Sequence, residues 1–105
     1  MSQPVILINV FTVEPDKQQE VVELLTRATR DYVRHARGFV SAKLHRSLDG
    51  TKVTMYAQWR SIEDYQAMRS DPGPLPFLQR ALEIAKFDPG TYELVESFSQ
   101  GTGDT

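Results

Sequence analysis

Cysteine is absent from the 105-residue chain. That single absence excludes disulfides, thiol nucleophiles, iron–sulfur clusters and thiolate metal sites. It fits a cytoplasmic protein, and cytoplasmic is the expected location. Histidine is scarce: His35 and His45 are the only two, ten positions apart, one expected at a helix end and one on a strand. No metal-ligand spacing results. Long apolar runs are also missing. The longest, Val5 to Ile8, is far too short to cross a bilayer. The first residues, Met1-Ser2-Gln3-Pro4, lack the charged and apolar regions of a leader. No charge of one sign dominates, since the formal net charge is −2. A basic stripe of the kind that binds nucleic acid is therefore not expected. Arg27, Arg30, Arg34 and Arg37 come nearest, and at helical spacing they read as a solvated face. No glycine-rich phosphate loop and no nucleophile elbow occur.

What is present is ordinary for one small globular domain, with 40% hydrophobic and 25% charged residues. A domain of this size buries only about 60–70% of its chain surface, so association with a second copy would add burial. Val5 to Val13 is β-branched and apolar, which predicts a strand. Both of its faces are largely apolar, so both need cover. Pro15 then suits a first helical position, with Asp16 and Glu20 at the positive end of the helix dipole. Val21, Leu24, Leu25, Ala28 and Tyr32 recur at helical spacing, which predicts a helix from Pro15 to about His35. Gly38 follows it. Phe39 to Ser47 and Lys52 to Arg60 read as two strands joined by an Asp49-Gly50 turn. Ser61 caps a second helix with Asp64 at the third helical position. That helix carries Ile62, Tyr65 and Met68 and stops before Pro72-Gly73-Pro74. A third helical piece is expected over Leu75 to Lys86, a turn at Asp88-Pro89-Gly90, and a last strand over Thr91 to Phe98. Residues 1–98 make one domain in this reading, and Ser99 to Thr105 a flexible tail.

The order β-α-β-β-α-β is the ferredoxin-like pattern, an α+β fold with helices on one face of an antiparallel sheet. The simplest cover for the other face is the same face of a second copy, related by two-fold symmetry. Strand parity gathers one polar cluster. Asn9 shares a face with Leu7 and Phe11. An amide there costs about 1–3 kcal/mol unless it is hydrogen-bonded. Val53, Met55, Ala57 and Trp59 share a face of the third strand, and Trp59 is the only tryptophan. Tyr65 follows it on the second helix. An Asn amide, a Trp N–H and a Tyr O–H around an apolar pocket suit a flat, oxygenated aromatic ligand. These residues are also compatible with Trp59 and Tyr65 as core and Asn9 bonded to nearby backbone.

Three segments carry a resemblance. They are Asn9-Val10-Phe11-Thr12-Val13-Glu14-Pro15, the stretch Gly38-Phe39-Val40-Ser41-Ala42-Lys43-Leu44-His45-Arg46-Ser47-Leu48-Asp49-Gly50, and Tyr56-Ala57-Gln58-Trp59-Arg60-Ser61. In order, spacing and residue type they resemble antibiotic-biosynthesis monooxygenase domains, and the likeness runs from about Val5 to Phe98. The resemblance implies a dimeric α/β barrel with a pocket between each sheet and its helices. It implies a monooxygenase that oxidises polycyclic, anthrone-like polyketide phenols to quinones with molecular oxygen and no cofactor. Asn9, Trp59 and Tyr65 match residues implicated in catalysis in that family. A second family Asn, four positions before the Trp, is Met55 in this chain. Leu7, Phe11, Met55, Met68 and Phe77 are the residues expected to contact substrate. An alternative is a non-catalytic dimeric binding or accessory protein of a polyketide pathway. A haem-degrading branch of the superfamily uses a His from the second crossover, and no His occurs from Arg46 onward.

Overall fold

The computed structural model describes residues 4–101. Five strands and three helices form in the order β1 (Val5–Val13), α1 (Gln18–Asp31), β2 (Phe39–Arg46), β3 (Lys52–Trp59), α2 (Ile62–Met68), α3 (Leu75–Ile84), β4 (Ala85–Asp88) and β5 (Thr91–Tyr92). The sheet order is β2-β3-β1-β4, with β5 also paired to β1. All pairings are antiparallel. This is the expected ferredoxin-like α+β arrangement. Among the described residues no helix is long and apolar enough to cross a membrane.

β1 lies between β3 on one side and β4 and β5 on the other, so its uncharged nine-residue run is paired along both edges. On the helix-covered face, Val5, Leu7, Phe11 and Val13 are buried. They belong to two clusters. One joins Phe11 and Val13 to Val21, Leu25, Val53 and Ala81. The other joins Val5 and Leu7 to Ala57 and Trp59. The opposite face carries Ile6, Ile8, Val10 and Tyr56; Ile6 is buried and the others are half-buried.

Two local devices set the β2–β3 hairpin. Gly50 takes φ +84° in the connecting turn. One oxygen of Asp49 accepts hydrogen bonds from the hydroxyls of Ser47 and Thr51, both at 2.7 Å, and from the Thr51 backbone N–H at 3.0 Å. The buried Gln18, at the start of α1, then donates its Nε2 hydrogens to the carbonyls of Ser47 and Lys52, both at 3.0 Å. That clamp fixes the helix against both ends of the turn. At the other end of the hairpin Gly38 is buried with φ +86°, where an added Cβ would run into the Asp64 side chain. The close approach lets the Gly38 carbonyl accept from the Arg60 N–H at 2.8 Å. Ser61 then caps α2 as its sequence indicates, accepting from the Asp64 N–H at 3.1 Å.

Three expectations need correction. The first helix is not continuous from Pro15 to His35. Short 3-10 turns occupy Pro15–Lys17 and Val33–His35, and the helix breaks at Tyr32 (φ −132°, ψ −62°). The Tyr32 ring packs against Gly73 and faces Phe77 at 6.1 Å. The third helix ends at Ile84, not Lys86, and Ala85–Asp88 is a strand. Helical spacing loses there to the open edge of β1, which gains ladder hydrogen bonds and a stacked pair, Phe11 on Phe87, with centroids 4.8 Å apart. The last strand covers only Thr91–Tyr92. Continuing its register would set Leu94 opposite Pro4, which has no N–H to donate. Leu94, Val95 and Phe98 are exposed instead. Of the expected flexible tail, residues 102–105 lie outside the described residues.

The Asp49 turn has a pH signature. Hydrogen bonds from the Thr51 hydroxyl, the Ser47 hydroxyl and the Thr51 N–H, in that order, lower its carboxyl to about 2. A folded-state value below that of the unfolded chain stabilises the fold above about pH 4, and the contribution disappears as pH falls toward 2. Asp49→Asn is therefore expected to melt below the wild type at neutral pH. Thermal scans from pH 7 to pH 2 should show the gap closing at the acid end.

Candidate functional site

The register of β1 with β3 brings the polar cluster together. Asn9 pairs with Met55, Leu7 with Ala57, Phe11 with Val53 and Val5 with Trp59. All eight side chains therefore leave the sheet on the helix-covered side. β2 joins this surface through an irregularity. Phe39 pairs with Trp59 and Ser41 with Gln58, so Val40 is an extra residue. The bulge sends Val40 outward, 53% exposed, and lets both Phe39 and Ala42 face inward. Nothing in the alternation of β2 signals this.

Between this floor and the helices is a cavity of about 270 Å³. Leu7, Asn9, Phe11, Met55, Trp59 and Tyr65 all line it, and Met68 closes it from α2. Phe77 does not line it. Its ring stands against Tyr32 and beneath the Arg27 guanidinium, 4.9 Å from the centroid. α3 rotates Phe77 toward α1 and turns Leu78 into the cavity instead. Sequence reasoning missed the far wall, Leu75 and Leu78 of α3 with Phe87 and Pro89 beyond it. Phe87 escapes notice because it falls between the expected helix, ending at Lys86, and the expected turn from Asp88, yet lies in a strand.

Trp59 is 1% exposed and packed edge-on by two rings, Phe39 at 5.5 Å and Tyr65 at 5.7 Å between centroids. Such T-shaped contacts fix the indole plane. No described residue accepts a hydrogen bond from its N–H, and no sealed side-chain nitrogen or oxygen is left unpaired among the described residues. The N–H thus keeps contact with solvent, and Trp59 meets solvent at the cavity. Asn9 is held by its carbonyl: Oδ1 accepts from the Gly90 N–H at 3.4 Å, a long bond at the β4–β5 break. Its amide hydrogens have no partner among the described residues. The Tyr65 hydroxyl likewise has none. Arg69 stands over the Tyr65 ring, 6.0 Å from its centroid. Asn9, Trp59 and Tyr65 thus line a mainly apolar chamber, with Thr29 and Gln79 as further polar groups and one cation, Arg69, and one acid, Asp71, on its wall. Such a site binds a flat apolar body and offers hydrogen bonds to oxygen substituents. Among the described residues no group of three or more His, Asp or Glu could hold a metal ion.

The sequence pattern of one family, antibiotic biosynthesis monooxygenase, matches residues 4–73. The chain is 44% identical over 92 residues to the tetracenomycin-F1 monooxygenase of Streptomyces glaucescens, covering 88% of this chain and 82% of that protein. Among solved structures it is similar to the monooxygenase ActVA-Orf6 of Streptomyces coelicolor in complex with nanaomycin D. Identity there is 26%, 94% of each chain is covered, and the TM-score is 0.81. It also shares its fold with SnoaB, a cofactor-independent oxygenase of Streptomyces nogalater, at 20% identity, 94% and 100% coverage and a TM-score of 0.77 to 0.81. With a family match over two thirds of its length, and a relative so similar along most of both chains, the protein belongs to the antibiotic biosynthesis monooxygenase family.

Proposed function

We propose that the protein is a cofactor-independent monooxygenase that oxidises a polycyclic, anthrone-like polyketide phenol to a quinone with molecular oxygen. The observation that carries this reading is the convergence of Asn9, Trp59 and Tyr65, each with an unpaired donor, on one apolar cavity. The relative that acts in tetracenomycin chemistry supports the substrate class. The unit that acts is the single domain of residues 1–98.

In this reading the substrate supplies the electrons. Loss of a proton gives an enolate, and one electron passes to oxygen. The resulting substrate radical and superoxide combine into a carbon–oxygen bond. The protonated peroxide then loses water, so CH₂ and O₂ become C=O and H₂O. The protein's task is to favour the anion and orient it. Donors fixed in a chamber of low polarity do this better than water, which must reorganise. The Trp59 indole and the Asn9 amide are the donors, and the Tyr65 hydroxyl is the group placed to exchange a proton. Met55 supplies apolar floor where the family has an amide.

Trp59→Phe keeps an aromatic wall and removes the N–H. It is expected to cost roughly 10²-fold in rate, as for loss of one oxyanion donor. Met55→Asn should leave the rate equal or raise it. Oxygen-electrode traces with an anthrone check both, alongside metal analysis and a visible spectrum of the purified wild type. A stoichiometric metal or a bound flavin would overturn the cofactor-independent reading. Met55 also favours a second reading, a non-catalytic dimeric binding or accessory protein of such a pathway. Anthrone binding without oxygen uptake by wild type or variants would select it.

The working form is a homodimer. Ile8, Val10 and Tyr56 stay half-exposed on the sheet face away from the helices. Leu94, Val95 and Phe98 are 64%, 87% and 88% exposed on the adjoining segment. A second copy of the chain, sheet against sheet, covers such a surface. Light scattering at micromolar concentration should give about twice the chain mass of 11.9 kDa; a monomer there would sink the arrangement.

A further inference from the structure

A second cleft lies on the far side of Met55, between α1 and β2, with a volume of about 380 Å³. It shares Leu25, Thr29, Phe39, Ala42 and Met55 with the first cavity, so the two adjoin, with Met55 among the residues between them. Its rim differs in chemistry. Arg30 and Arg34 line it, with the hydroxyl residues Thr26, Thr29 and Ser41. No carboxylate lines it. The Ser41 hydroxyl is already committed to Gln58 at 3.2 Å.

Several other arginines near the helices are occupied. Arg80 pairs with Glu20 and Glu83, Arg46 bonds Gln19, and Arg27 covers Phe77. Neither Arg30 nor Arg34 has a hydrogen-bond or ion-pair partner among the described residues. Arg30 lies at the end of α1 and Arg34 in the 3-10 turn beyond the break at Tyr32, yet both line one rim, where two guanidinium forks can meet a single anion. A small inorganic anion would leave the apolar floor unused, and a neutral hydrocarbon would leave both cations unused. Met55, one of the five residues between the two, is an unbranched, adaptable side chain, and its shift can let a group pass.

The geometry points to an anion subsite: Arg30 and Arg34 receive a carboxylate carried by a flat aromatic substrate whose rings lie in the cavity across Met55. This goes beyond the oxidation proposed above and rests on it only for the polycyclic ligand. The first cavity has its own cation, Arg69, but Asp71 shares its wall. The Arg30–Arg34 rim has no such competitor. If the two arginines served only to offset the negative end of the α1 dipole, their removal would alter melting but not ligand choice.

The test is binding, read from Trp59 fluorescence and from backbone amide shifts, with 2-anthracenecarboxylate and its neutral carboxamide as probes. Wild type should prefer the acid by about tenfold or more at low salt, with a preference that shrinks as salt rises. Arg30→Gln and Arg34→Gln should each lose most of that preference while keeping affinity for the amide. Arg27→Gln should retain it. Amide shifts on adding the acid should include Thr26 and Ser41. Equal binding of acid and amide by wild type would overturn the subsite and leave the aromatic pocket intact. So would a preference that survives the double variant or that vanishes in Arg69→Gln. Binding of neither probe would remove the pocket as well. Oxygen uptake plays no part, so failure of the oxidation leaves this result readable.

Discussion

The pairing of β1 with β3 in one register, Asn9 opposite Met55, is the constraint on which the site depends. A slip of one residue would turn Asn9 outward and fill the cavity with Ile8 and Val10. Several independent features hold the register. The Asp49 turn fixes β3 relative to β2, and Gln18 ties α1 to both ends of that turn. Val53, fully buried opposite Phe11, locks the far end of the ladder into the core. The catalytic geometry proposed for Asn9 and Trp59 is thus inherited from sheet pairing and needs no flexible loop to assemble it.

Trp59 is where packing and chemistry meet. It is among the largest fully buried side chains, ringed by Phe39 from β2 and Tyr65 from α2. The bulge at Val40 is what gives it Phe39, and the buried Gly38 is what brings α2 close enough to supply Tyr65. A rigid indole costs little to hold in place during reaction, because its rotamer freedom has already been lost in folding. Asn9 is anchored more lightly, through one long hydrogen bond at the break between β4 and β5.

The sequence made the floor of the site legible and left its roof obscure. Period-two alternation placed Leu7, Asn9, Phe11, Met55 and Trp59 on one face, because strand parity is local and unambiguous. The Ser61 cap and the Asp49-Gly50 turn were equally local. The errors cluster where tertiary demands overrule local preference. Ala85 and Lys86 continue the helical spacing of α3 but are drawn, with Phe87 and Asp88, into the sheet by the unpaired edge of β1. Phe77 is apolar and suitably placed along the chain, yet a rotation of α3 hands the cavity to Leu78. The bulge at Val40 depends on a backbone irregularity that no residue type announces. Arg30 and Arg34 are exposed, as their spacing indicates, and only the fold shows that they line the cleft beside β2.

The position of β1 has a consequence for the making of the protein. It emerges from the ribosome before its partners, which begin at Lys52 on one side and end at Tyr92 on the other. Until most of the chain exists, a nine-residue stretch without charge, rich in Val and Ile, has no edge to pair with. Such a segment is prone to pair with copies of itself. It is interrupted by Asn9 and Thr12 inside and by Glu14-Pro15 at its end, polar side chains and a charge–proline pair of the kind that discourages stacking of strands. The amide that faces the cavity in the finished domain is thus also a brake on aggregation in the nascent one.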